Sequence, residues 1–196
     1  MKEIVIASNN AGKLREIEAI LQPLGFKAVP QSAFNVPEAE EPHPTFVENA
    51  LAKARNAAHY TGMPALADDS GICVHALRGA PGVISARYAG EPKSDARNNQ
   101  KLVAELKDND DRAAYYFAAL VMVRHAADPQ PLIAEGRWAG EVIEVPRGDN
   151  GFGYDPYFLL PDLGKTAAEL DAREKNLVSH RGKALRRLAA LIQEQW

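Results

Sequence analysis

The 196-residue chain has one cysteine, Cys73. That excludes an internal disulfide framework and any multi-cysteine zinc site, and it suits a reducing compartment. No apolar run approaches the roughly 18 residues that span a bilayer. The N-terminal stretch Met1-Lys2-Glu3-Ile4-Val5-Ile6-Ala7 is too short and too acidic for a signal peptide. The expectation is a soluble, cytoplasmic protein with no membrane partner. Basic charge is not in excess either. Lys plus Arg is 23 and Asp plus Glu is 26, for a net charge of −3. A protein that coats a nucleic acid polymer needs a basic surplus, so that class is excluded, whereas a small anionic ligand held by a few placed cations is not. No repeat, low-complexity tract or linker divides the chain, which reads as a single domain over residues 1–196. A Walker A loop is also missing. It would need glycine at Ala7 and serine or threonine at Leu14, so a kinase or motor reading fails.

What is present is globular: 46% hydrophobic and 25% charged residues. Strand-like and helix-like periods alternate, as in α/β or α+β proteins. Residues 3–7 read as a buried strand, 8–12 as a turn and 13–24 as a helix that stops at Gly25. Residues 33–44 are irregular, acidic and broken by Pro37, Pro42 and Pro44. A second helix spans 45–60, opened by a capping box of Thr45 and Glu48. Residues 65–67 form a short strand that runs into an Asp68-Asp69-Ser70-Gly71 turn, and 72–77 form another strand. Asp95 caps a helix ending near Leu106. Residues 112–124, 132–134, 141–145 and 157–160 supply further strands. Thr166 and Glu169 form a second capping box, and Ser179 caps the last helix.

Five places bear on the chemistry. At Ser8-Asn9-Asn10-Ala11-Gly12-Lys13 a tight turn opens a helix. Backbone N–H groups there can face an anion, with Lys13 adding a full charge. Glu38, Glu40 and Glu41, with Asp68 and Asp69, offer oxygen ligands of the kind Mg²⁺ takes, although adjacent strand residues face opposite ways. On the second helix Asn49, Lys53, Asn56 and Tyr60 recur on one polar face, which by itself reads as a solvated side. In the segment 148–156 glycines flank Phe152 and leave its ring free to stack on a base. Lys175, Ser179, His180, Arg181 and Lys183 put positive charge at the start of the last helix, against the helix dipole, with no visible compensation. Together these suit a metal-bound nucleoside triphosphate.

Seven ordered blocks, running between Ile4 and Leu188, resemble the inosine/xanthosine triphosphate pyrophosphatases. They are Ser8-Asn9-Asn10-x-Gly12-Lys13, Thr45-Phe46-x-Glu48-Asn49-Ala50-x-x-Lys53-Ala54, Ala67-Asp68-Asp69-Ser70-Gly71, Gly79-Ala80-Pro81-Gly82, Ser85-Ala86-Arg87-Tyr88, Gly151-Phe152-Gly153-Tyr154-Asp155-Pro156 and Ser179-His180-Arg181-Gly182. The first turn has Ser8-Asn9 where relatives often have Thr-Gly, a change that keeps the hydroxyl.

The resemblance implies an α/β fold of two lobes around an elongated mixed β-sheet flanked by helices, with the active site in the cleft between the lobes, and a homodimer. It implies Mg²⁺-dependent hydrolysis of dITP, ITP and XTP to the monophosphate and pyrophosphate. Ser8, Asn9, Asn10, Ala11, Gly12 and Lys13 would bind the triphosphate, with Lys53 beside them. Asp69 would be proton acceptor and metal ligand, joined by Glu41, with Glu40 and Asp68 as further candidates. Ser70 would touch substrate, and Phe152 would stack on the purine. Gly153, Tyr154, Asp155, Lys175, His180 and Arg181 would surround base and sugar. Arg181 or protonated His180 would donate to a 6-oxo group and reject the amino group of adenine. Two other readings share these features: a non-catalytic nucleotide sensor, and a house-cleaning pyrophosphatase for other modified nucleotides.

Overall fold

The computed structural model describes residues 2–196. Seven strands form one hydrogen-bonded mixed sheet in the order β2-β1-β3-β4-β5-β6-β7. The strands are β1 (Lys2–Ile6), β2 (Phe26–Pro30), β3 (Ala65–Val74), β4 (Ala113–Val123), β5 (Leu132–Val142), β6 (Phe158–Leu160) and β7 (Lys165–Thr166). β1 lies parallel to both β2 and β3, whereas β6 is antiparallel to β5 and β7. The helices are α1 (Ala11–Leu21), α2 (Phe46–Thr61), α3 (Asp95–Glu105), α4 (Ala172–Val178) and α5 (His180–Gln195). No described helix is long and apolar enough to cross a membrane.

The chain forms two compact units. The first holds the residues up to Asp69, together with Ala118–Gly136 and Arg181–Trp196; the second holds Ser70–Phe117 and Arg137–His180. Each has its own apolar cluster. In the first, Ile4 and Ile6 of β1, Ile17 and Leu21 of α1, Leu120 and Met122 of β4, and Leu185 and Leu188 of α5 are buried together. In the second, Ile72, Leu102, Leu106, Tyr116, Trp138 and Phe158 are buried together. Burying each large apolar side chain contributes about 1.5–3 kcal/mol. The chain passes from unit to unit four times, after Asp69, Phe117, Gly136 and His180. The first and last of these crossings fall inside blocks singled out in the sequence.

Several local expectations need correction. The Asp68-Asp69-Ser70-Gly71 segment is not a turn between two strands. It is the middle of β3, a single ten-residue strand. Gly71 permits this, because a Cβ there would lie 2.4 Å from the Gly82 carbonyl oxygen and from Ser85 Oγ. Residues 132–134 and the start of 141–145 likewise belong to one strand, β5, which ends at Val142 and whose buried and exposed residues alternate over most of its length. β2 and α4 were not expected. Their signals are present: Phe26-Lys27-Ala28-Val29 follows the Gly25 stop, and Asp171 and Glu174 form a full capping box. α1 starts at Ala11, two residues early, because Asn10 caps it. Ser94, not Asp95, caps α3. Ser179, in the expected place directly before α5, also closes α4. The Thr45–Glu48 pair is half a capping box. Thr45 Oγ1 accepts from the Glu48 N–H, but its hydroxyl donates to the Glu48 carboxylate at 2.5 Å.

Candidate active site

Asp68 and Asp69 are adjacent on β3, so their side chains leave opposite faces of the strand. Both are buried. Asp68 Oδ1 takes a hydrogen bond from Lys13 Nζ at 2.8 Å, and Oδ2 takes one from Arg181 Nε at 2.5 Å. Arg181 Nη1 also pairs with Glu16 of α1. Burial opposes ionisation of Asp68, but the charges of Arg181 and Lys13 outweigh it and hold the carboxyl well below the usual range. Burial also works against the charge on Arg181, and Asp68 with Glu16 more than offsets it. The basic residue at the start of α5 is therefore compensated, by carboxylates distant in sequence.

The turn before α1 differs from an open anion cradle. Asn10 Oδ1 accepts from the N–H groups of Gly12 and Lys13, at 2.9 and 3.1 Å, and Ser8 Oγ accepts from the Asn10 N–H. Three of the expected anion donors are thus satisfied within the turn. Asn9 and Ala11 are exposed. Burial, with the neighbouring charges of Arg181 and Lys53, lowers the pKa of Lys13 despite its contact with Asp68.

Asp69 belongs to a different group. Lys53 Nζ of α2 donates to Asp69 Oδ1 at 2.8 Å and to Glu41 Oε1 at 2.6 Å. One ammonium thus bridges two carboxylates. Asp69 Oδ2 is buried and has no hydrogen-bond partner among the described residues. Burial raises the pKa of Asp69, and the charge of Lys53 only partly offsets this. For Lys53 the balance is reversed: Asp69 and Glu41 outweigh burial and raise its pKa. Glu40 is exposed. Among the described residues no three His, Cys, Asp or Glu side chains form a ready metal cage. Two carboxylates nevertheless fit Mg²⁺, which usually takes one or two and fills the rest of its octahedron with waters and phosphate oxygens. The orphaned Asp69 Oδ2 is the atom such an ion would satisfy.

The second unit carries the aromatic loop. Gly151 and Gly153 both adopt positive φ, 76° and 63°, and so bracket Phe152 with backbone that other residues rarely take. Asp155 Oδ2 accepts from the Phe152 N–H at 2.9 Å and from Lys175 Nζ at 2.7 Å. That ammonium sits 4.7 Å from the centre of the Phe152 ring, so one ring face meets a cation instead of lying open. α3 holds the next residue by both its backbone groups: the Gly153 N–H donates to Asp95 Oδ2, and Asn99 Nδ2 donates to the Gly153 carbonyl, each at 2.9 Å. The Tyr154 hydroxyl donates to the Ser85 carbonyl at 2.7 Å. His180 is buried and stacks on Tyr116, with ring centres 4.7 Å apart and planes 9° from parallel.

The structure thus gathers Lys13, Asp68 and Arg181 into one group and Glu41, Lys53 and Asp69 into a second, both in the first unit. Phe152, Asp155 and Lys175 form a third, in the second unit. Ser70 is half-buried on β3. Glu16, Asp95, Asn99 and Tyr116 were missed. Each is a single residue in an ordinary amphipathic pattern, and nothing in its neighbours marks its partner.

These features define an α/β protein with adjacent buried carboxylates, one locked between cations and one with an oxygen left open. The chain belongs to the Ham1 family, which it matches over residues 4–191. A "dITP/XTP pyrophosphatase" of Ralstonia nicotianae is 67% identical over 191 residues, covering 96% of this chain and 95% of that protein. Its namesake from Nitrosomonas europaea is 65% identical over 194 residues, covering 99% and 96%. A solved HAM1 protein from Coxiella burnetii superposes with a TM-score of 0.92 at 50% identity, over 99% of this chain and all of the other.

Proposed function

We propose that this chain hydrolyses dITP, XTP and ITP between the α and β phosphates, releasing pyrophosphate and the nucleoside monophosphate. What carries the reading is the Glu41–Lys53–Asp69 arrangement with its open Asp69 oxygen, in a chain more than 60% identical to pyrophosphatases of that name. A sensor would need no such carboxylate pair.

Asp69 is the proton acceptor for the attacking water in this reading. Its carboxyl, raised by burial, is a stronger base than a solvated aspartate. Lys53 stays protonated and fixes the orientation of Asp69 through Oδ1. Glu41 and Asp69 would hold Mg²⁺, which when bound neutralises charge on the phosphate oxygens. Lys13 adds a cation at the α1 turn, and Asp68 keeps it there. Ser8, Asn10 and the Gly12 and Lys13 N–H groups reach phosphate only by giving up bonds they make to one another. Phe152 stacks on the purine, and Lys175, Asp155, Tyr154 and His180 set the polar surroundings of base and sugar. Arg181 acts by holding Asp68. The family reading also carries a homodimer and a cytoplasmic location, and light scattering in solution tests the first.

The deciding experiment is pyrophosphate release from ITP, XTP, dITP, GTP and ATP, with Mg²⁺ and with EDTA. Fast Mg²⁺-dependent release from the deaminated purines is expected. Binding without release, or release from pyrimidine nucleotides instead, overturns the proposal.

A further inference from the structure

The polar face of α2 is not a solvated side. Asn49 is 1% exposed and closes two hydrogen bonds with one residue of the acidic loop: the His43 N–H donates to Asn49 Oδ1, and Asn49 Nδ2 donates to the His43 carbonyl, both at 3.0 Å. Seven residues on, Asn56 Nδ2 donates to the Pro37 carbonyl at 2.8 Å. Between them Lys53 holds Glu41. Positions 49, 53 and 56 follow the four- and three-residue spacing of one helix face. That face therefore grips the loop at its start, at Glu41 and at its end. The sides of the Asn49 amide are fixed by its partners, since the His43 carbonyl can only accept and the His43 N–H can only donate.

We infer that Asn49 and Asn56 are positioning residues for the divalent-cation carboxylate Glu41. The loop is irregular and contains Pro37, Pro42 and Pro44, so few of its own backbone groups can be satisfied within it. Held only through Lys53, Glu41 would depend on the very ammonium that competes with a cation for its oxygens. The two amides supply an anchor independent of Lys53. Glu41 can thus exchange Lys53 for a cation while its backbone stays in place. Tyr60, the fourth residue of the same face, is instead 59% exposed, and its ring meets His59 of its own helix.

The inference rests on the function proposed above, so its test carries readouts that separate the two. Mn²⁺ affinity is measured by electron paramagnetic resonance on the full chain, alone and with a non-hydrolysable triphosphate. The Mg²⁺ concentration for half-maximal pyrophosphate release is measured in parallel. Asn49→Ala should weaken Mn²⁺ affinity roughly 10–100-fold, the usual cost of removing a partner that orients a ligand. Asn56→Ala, which leaves the buried Asn49 in place, should weaken it less but by at least about threefold. Half-maximal Mg²⁺ should rise in step, and the nucleotide KM at saturating Mg²⁺ should stay put. Tyr60→Ala should match the unmodified chain in every assay. A role confined to stability lowers the melting temperature of the asparagine variants and leaves both metal curves unmoved, which overturns the inference. Mn²⁺ bound with unchanged affinity by all variants does the same. Metal curves that shift as expected without pyrophosphate release overturn the proposed reaction instead and leave the clamp standing.

Discussion

Asp68 and Asp69 are chain neighbours with opposite duties. Asp68 has each oxygen in an ion pair, whereas Asp69 has one oxygen on Lys53 and one open. Asp68→Asn leaves the buried Arg181 and the half-buried Lys13 with too little negative charge. Breaking such a pair by removing one partner costs about 3–5 kcal/mol, and a fall of that size is expected in denaturant unfolding.

Asp69→Asn should behave in the other direction. A carboxyl whose pKa is raised in the folded state weakens folding once it ionises, so at neutral pH its charge is a burden on the metal-free chain. The amide removes that burden. Unfolding in EDTA should show equal or slightly greater stability, while pyrophosphate release is abolished. A variant that keeps near-normal turnover would remove Asp69 from the role of proton acceptor.

Arg181 gives a sharper contrast. Read from sequence, its donors face the 6-oxo group of the base, and Arg181→Ala costs activity mainly on 6-oxo purines. In the structure Arg181 is 1% exposed, between Asp68 and Glu16. That placement predicts a loss shared by every triphosphate the enzyme accepts, accompanied by a lower melting temperature. Relative kcat/KM values for dITP, XTP and ATP decide between them.

The two halves of that case show what was legible in the sequence. Local chemistry was: the strand before the first turn, the second helix, the Thr166–Glu169 box and the glycine-bracketed Phe152 all have short-range causes. The ordered blocks were enough to name the family. Partnerships across the chain were not legible. Arg181 and Asp68 are 113 residues apart, and only the fold brings their charges together. The unexplained basic cluster at α5 was this missing partner. The β3 error has a related cause. Asp-Asp-Ser-Gly is good turn chemistry, and only the cations that α1, α2 and α5 bring to them let two aspartates sit inside a strand.

A stability prediction away from the site tests the same electrostatic logic. In the connection between β4 and β5, Asp128 is buried; Oδ2 accepts from the Arg124 N–H at 2.8 Å and Oδ1 from the Gln130 N–H at 2.9 Å. Burial favours protonation, but those two N–H groups and the Arg124 charge outweigh it, so the carboxyl titrates below its usual 3.8. A depressed acid stabilises the fold above its unfolded pKa, and that contribution is lost as pH falls through the folded one. Asp128→Asn should therefore cost about 1–3 kcal/mol at pH 7. The gap from the unmodified chain should narrow as pH drops through 3.8 and vanish below the folded pKa. A gap independent of pH would mean that shape, not charge, sets the role of Asp128.

The loop that presents Phe152 makes a final prediction. Asp95 and Asn99, one turn apart on α3, hold the Gly153 N–H and carbonyl, while Asp155 holds the Phe152 N–H. The aromatic ring is thereby fixed from both sides by groups that do not touch it. Asp95→Ala removes one hydrogen bond, worth about 1 kcal/mol, and should raise the KM for dITP roughly fivefold with kcat little changed. Asn99 Oδ1 is buried without a partner among the described residues. Asn99→Leu should thus raise KM without lowering stability, because it removes an unsatisfied acceptor along with the bond. If both act through the ring, neither substitution should matter much once Phe152→Ala is present. Effects that persist in the Phe152→Ala background would place Asp95 and Asn99 in direct service of the substrate or of the fold at large.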